Sequence, residues 1–180
     1  MIVKLETERF ILREFIDADA NGIYLLDSNP NVHKYLGNKP IKTIDTARKI
    51  IQNVKIQYKN NGIGRWAIID KKTNEFVGWS GLKLEKDINN RETYIDLGYR
   101  LRQEFWNKGI ATETAIEVLK YGFSVLNMTQ ICAAAHIDNI ASNKVLSNIG
   151  FDCIEQFNFE GIPHNWYEIN KINWVKNVHA

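Results

Sequence analysis

The chain has 180 residues, 44% of them hydrophobic and 24% charged, the proportions of an ordinary soluble globular protein with one full core. Lys and Arg number 23 against 21 Asp and Glu, and a net charge of +2 makes no case for nucleic acid or an anionic membrane as a partner. Residues 1–6 lack the long apolar core of a signal peptide, and no run approaches transmembrane length. Two isolated cysteines, Cys132 and Cys153, sit in apolar strand-like runs and read as buried thiols of a reducing compartment, with no metal or disulfide framework. A cytoplasmic location is expected. No repeat, low-complexity tract or Pro/Gly/Ser-rich linker divides the chain, so one domain is expected over 1–180.

From Arg9 to Glu14 apolar and polar residues alternate, as in a half-buried strand. Asp17 suits a helix cap, and Ile23, Leu25 and Leu26 give the next segment an apolar side. Ala47, Ile50, Ile51, Val54 and Tyr58 share one stripe, which predicts a helix over 45–58 stopped by Asn61-Gly62. Strands follow at 66–69 and 76–82, joined by a polar hairpin connection at 70–75. Residues 86–91, with Asn89-Asn90, turn the chain into a strand at 93–101 rich in β-branched and aromatic residues.

From Gly109 onward Ala111, Ala115, Val118, Leu119, Gly122 and Leu126 recur at helical spacing. Asn107-Lys108-Gly109-Ile110-Ala111 therefore joins a strand to a helix start. There small residues admit a ligand close to the backbone, unpartnered amides and the macrodipole favour an anion, and Lys108 adds a mobile charge. It matches neither the P-loop nor the three-glycine dinucleotide fingerprint. Residues 130–137 predict a strand whose small Ala133, Ala134 and Ala135 suit close packing or a ligand along its edge. A short helix at 141–148 ends at Gly150 with Phe151 packing back, and 151–159 with 165–174 form a closing hairpin around Gly161-Ile162-Pro163.

The run Phe105-Trp106-Asn107-Lys108-Gly109-Ile110-Ala111-Thr112-Glu113 resembles the acetyl-CoA pyrophosphate loop of the GNAT N-acetyltransferases. The likeness is greatest to the branch that acetylates ribosomal-protein N-termini, with Asn107 in place of the loop's first glycine. The opening Thr7-Glu8-Arg9-Phe10-Ile11-Leu12-Arg13 and the later spacing of Asn139, Ser142, Leu146, Gly150 and Phe151 are similar to the same branch.

The resemblance implies a single-domain α/β fold with a mixed, mostly antiparallel sheet and helices on both faces. It implies direct acetyl transfer from acetyl-CoA to a primary amine, without a metal. The backbone of Tyr99, Arg100 and Leu101 would follow pantetheine, and Asn107, Lys108, Gly109, Ile110, Ala111 and Thr112 would hold the pyrophosphate. Asn139 and Asn143 would lie along the cofactor, although Asp138 or Asn139 also reads as a plain helix cap.

Asp96 stands where relatives often carry Glu and is the candidate base, acting through water, with Glu92 a weaker alternative. Leu146 occupies the place where many members carry a tyrosine acid, so Ser142 is the candidate proton source. His136 and His164 match no catalytic position of the family. Trp66, Trp79, Trp166 and Tyr167 belong either to the core or to an acceptor cleft. The acceptor is a peptide N-terminus or a small amine, and the resemblance favours the former. An acyl-CoA-binding module without catalysis and a nucleotide-binding domain remain as alternatives, and monomer and homodimer are both open.

Overall fold

The computed structural model describes residues 4–178; residues 1–3 of the opening segment and 179–180 at the end of the expected domain lie outside the described residues. β1 (Lys4–Glu6) and β2 (Phe10–Arg13) lead into α1 (Ala20–Asp27), the single turn α2 (Pro30–His33) and α3 (Ile44–Asn61). A meander of β3 (Arg65–Asp70), β4 (Phe76–Ile88) and β5 (Arg91–Leu101) follows. Then come α4 (Ile110–Lys120), β6 (Gln130–His136), α5 (Ile140–Asn148), the hairpin of β7 (Asp152–Phe159) and β8 (Ile162–Asn170), and α6 (Lys171–Val178).

The eight strands make one sheet in the order β1-β2-β3-β4-β5-β6-β8-β7. Every neighbouring pair is antiparallel except β5 and β6. Strand alternation divides the apolar residues between two faces. Trp66, Ile68, Leu82 and Leu97 pack with Val118, Leu119 and Phe123 on one side, and Ala67, Ile69 and Phe76 pack with Ile23, Leu26, Ile51 and Val54 on the other. Each large aliphatic side chain so buried contributes about 1.5–3 kcal/mol, which explains why helices cover both faces. This is the fold class expected.

The parallel pair sets up the site. β5 and β6 share a single register pair, Asp96 with Cys132, and past it a cleft of about 1040 Å³ opens. Gly98 to Leu101 line one side and Ala133 to His136 the other. Past that pair β5 has no ladder partner on this flank among the described residues, so the backbone groups of that edge border the cleft, except the Leu101 carbonyl, which accepts from Trp106 Nε1 at 2.9 Å.

Four expectations are corrected. β4 continues through Ile88, and the turn narrows to Asn89-Asn90, both at positive φ, as a tight hairpin on right-twisted strands requires. The long helix ends its α-helical part at Lys120 and continues as a π-helical turn over Tyr121–Val125; there a side chain on Gly122 would come within 2.9 Å of Ile131. Trp174 belongs to α6 and not to the last strand, because Asn170 Oδ1 accepts from the Asn173 amide and starts a helix. Cys132 is buried, whereas Cys153 is exposed, since it lies on β7, the edge strand of the sheet, at a register irregularity against β8.

Candidate active site

The turn before α4 combines two left-handed residues, Asn107 at φ 59° and Gly109 at φ 72°. Asn is the ordinary residue that tolerates this region, so it keeps the loop conformation a glycine would have. Gly109 is the N-cap of α4 and offers no capping side chain, whereas Thr43 caps α3 and Asn139 caps α5. The first amides of α4, on Ile110, Ala111 and Thr112, are thus left at the cleft as donors for an anion. Arg9 fixes the loop from outside. Its Nη2 donates to the Lys108 carbonyl at 3.0 Å and its Nε to Glu113 at 2.7 Å. The Thr-Glu-Arg opening and the end of the loop motif therefore meet across 104 residues of sequence. Lys108 itself is exposed, with Nζ 5.4 Å over the Phe105 ring, and does not line the cleft.

On the same face as α5, the Tyr99 hydroxyl lies 3.0 Å from Ser142 Oγ and donates to the Ser142 carbonyl at 3.1 Å. Burial pushes the Tyr99 phenol well above its usual range, so it stays protonated. Asn139 lines the cleft, and its Oδ1 accepts from the Ser142 amide. Asn143 departs from its expected place. Its Nδ2 donates to the carbonyls of His136 and Asn139, and its Oδ1 accepts from Tyr167 and Asn165. That amide fastens α5 to β6 and β8 and is turned away from the cleft lining.

The opposite face carries charge. The β-sheet register sets Arg65, Gly81 and Gly98 in one row across β3, β4 and β5. A side chain on Gly98 would come within 2.8 Å of the Arg65 guanidinium, so the bare glycine lets Arg65 reach along the strand. Arg65 donates there to the Asp96 carboxylate and, at 2.9 Å, to the Asp96 carbonyl. Asp96 is the only acid lining the cleft among the described residues, and its side chain is 14% exposed. Burial pushes its carboxyl up, against the opposing pull of Arg65. Glu92 is exposed and does not line the cleft.

In the next row Trp79 pairs with Arg100, whose Nη1 donates to the buried Asp27 at 2.6 Å. The guanidinium carbons of Arg65 and Arg100 lie 5.3 and 5.2 Å from the Trp79 ring. The segment after α1 straps this face. Asn29 and Asn31 donate to Gln103 at 2.9 and 3.0 Å, and the Tyr35 ring lies 5.3 Å from His136. Trp66 and Trp166 are fully buried, and Tyr167 packs behind Asn143, so of the four aromatics only Trp79 reaches the cleft.

Residues 9–152 match the family model described as an acetyltransferase (GNAT) domain. The chain belongs to the GNAT acetyltransferase family. It is 34% identical over 176 residues, 96% of both chains, to a Bacillus subtilis (strain 168) protein named uncharacterized N-acetyltransferase YoaA. In fold it resembles a ribosomal-protein-S5-alanine acetyltransferase from Vibrio fischeri, with TM-score 0.75, 19% identity and coverage of 96% of this chain and 98% of that one. It equally resembles a spermidine N-acetyltransferase from Vibrio cholerae in complex with CoA and spermine, with TM-score 0.74, 19% identity and coverage of 92% and 98%.

As a GNAT protein the chain is an N-acetyltransferase, and its family's acyl donor is acetyl-CoA. The cleft fits that donor's chemistry: uncapped helix amides for phosphates and an unpaired strand edge for the amides of a pantetheine arm. Sequence reasoning on this GNAT chain missed Arg9 with Glu113, Arg65 with Asp96, Arg100 with Asp27, and Tyr99 with Ser142. One signal was present. Asp96, Gly98 and Arg100 alternate on β5 and so share a face, with the glycine leaving room for a long side chain from a neighbouring strand. No helix among the described residues is long and apolar enough to cross a membrane.

Proposed function

We propose that this GNAT enzyme transfers acetyl directly from acetyl-CoA to the α-amine of a peptide N-terminus, in the manner of the ribosomal-protein branch. The observation that carries the chemistry is one cleft holding a carboxylate, Asp96, and a hydroxyl pair, Tyr99 with Ser142, on opposite faces of β5. Acetyl-CoA supplies an electrophilic thioester carbonyl. Asp96 takes the proton of the incoming ammonium through a water, and its raised carboxyl makes it a stronger base than a free aspartate. An unpaired amide of residues 98–101 donates to the carbonyl oxygen as negative charge develops there. Ser142 Oγ gives its proton to the departing thiolate as it takes one from the Tyr99 hydroxyl, and the proton lost by the acylated nitrogen returns through water to Tyr99, whose buried phenol favours the protonated form.

Two observations favour a peptide amine over a polyamine. An α-amino group, with a pKa near 8, needs less help losing its proton than an alkylamine near 10. Among the described residues Asp96 alone lines the cleft as an acid, and it is already paired with Arg65, so no second described carboxylate holds a polycation there. The test is a panel scored by release of free CoA: a short peptide with a free α-amine, its N-blocked form carrying lysine, and spermidine. The free α-amine gives the highest kcat/KM; a lead for spermidine or blocked peptide overturns the acceptor assignment.

A further inference from the structure

The acceptor side of the cleft carries more positive charge than the transfer reaction uses. Lys34, Arg65 and Arg100 line it against Asp96. Arg65 is committed to Asp96 and the strand carbonyls. Arg100 is different. Asp27, buried at 2% exposure, holds Nη1 from behind, and the Trp79 ring lies 5.2 Å from the guanidinium carbon. Nε and Nη2 of Arg100 have no hydrogen-bond partner among the described residues, while the side chain lines the cleft at 23% exposure. Asp27 itself does not line the cleft. A guanidinium anchored at one corner, set over an indole and left with two unpaired nitrogens beside a cavity is suited to receive a carboxylate.

We propose that Arg100 receives an anionic group of the acceptor, so that the preferred substrate is an α-amine with a carboxylate nearby. The proposal rests on the acetyl-transfer reading and adds the substrate's charge to it. Tyr35 and Asn31, on the strap across the cleft, border the same space as Trp79 and Arg100. The surrounding cations act on the amine as well. Fixed positive charges in a partly desolvated cleft disfavour the ammonium form and so raise the fraction of nucleophilic amine. A polycation meets the same field as repulsion.

The carboxylate has two sources, the acidic side chain of a peptide's second residue or the α-carboxylate of a free amino acid. The experiment uses isosteric pairs: Ala-Asp-amide against Ala-Asn-amide for the first source, and alanine against alaninamide for the second. Wild type prefers the charged member of at least one pair by about tenfold or more in kcat/KM, as a charge-assisted hydrogen bond requires. In Arg100→Gln the preference falls to about onefold through KM, while acetyl-CoA still raises the melting temperature as it does in wild type, since a ligand of the folded state stabilises it. The double variant Asp27→Asn/Arg100→Gln, which leaves no buried carboxylate unpaired, reads the same ratio if the single variant folds poorly. Equal or better use of the neutral member in both pairs overturns the proposal, as does a preference that survives loss of Arg100. If no amine is acetylated, the transfer reading fails separately. Calorimetric binding of the same pairs to the CoA-loaded protein then decides the Arg100 proposal without turnover.

Discussion

The two faces of the cleft are built differently. The α4–α5 face presents backbone: uncapped amides behind Gly109, an unpaired β5 edge, and one hydroxyl pair. The α1–α2 face presents long charged side chains drawn from β3, β5 and α1 and clasped around Trp79. Backbone donors suit the invariant part of a reaction, a diphosphate and a chain of amides. Side chains set by distant contacts suit what varies, the acceptor. If this division is right, substitutions on one face change donor binding and those on the other change chemistry and acceptor choice.

The largest expected effect comes from Asp96→Asn. Turnover falls about 100-fold near neutral pH, the size of a lost general base, with acetyl-CoA binding unchanged. The residual rate climbs with pH as the amine loses its own proton. A wild-type rate across the pH range removes Asp96 from the reaction.

Next come Ser142→Ala and Tyr99→Phe. Each lowers kcat about tenfold with little effect on KM for acetyl-CoA, and the double variant is scarcely worse than either, because one relay is broken only once. Additive losses contradict the relay.

Arg65→Gln has a smaller effect with a definite sign. Arg65 holds the Asp96 carboxyl down against burial, so removing it lets that carboxyl rise further. The acid limb of the kcat/KM profile then moves to higher pH; an unmoved or lowered limb shows that Asp96 does not govern it.

The smallest effect belongs to Arg9→Met. The loop loses its ties to Lys108 and Glu113, both partly exposed, and KM for acetyl-CoA rises about two- to fivefold with kcat unchanged.

The same asymmetry governs what the sequence reveals. The α4–α5 face was legible because its parts are contiguous: a strand, a loop with Asn107 and Gly109, and a helix whose apolar spacing marks its start. The order of strands and helices followed from period-two and period-3.6 patterns, while the mixed sheet was implied by the family resemblance. The α1–α2 face was not legible, since Asp27 and Arg100 are separated by 73 residues and Arg65 and Asp96 by 31. Nothing local in Asp27 or Arg65 distinguishes it from a solvated charge. Asn143 shows the converse error: its neighbourhood resembles a cofactor motif, but its amide is claimed by β6 and β8. Cys153 looked buried because its run is apolar, and only the strand order puts it on an open edge.

The division between the faces is tested most directly by calorimetric titration of acetyl-CoA into wild type, Gly109→Val and Asp96→Asn. A side chain on Gly109 meets only Arg9 Nη2, at 3.7 Å, so space is not the obstacle; a β-branched residue at φ 72° is strained and pulls the loop out of shape. The account predicts that wild type and Asp96→Asn bind acetyl-CoA alike, while Gly109→Val loses measurable binding though still folded by circular dichroism. Full binding by folded Gly109→Val, or its loss in Asp96→Asn, contradicts it.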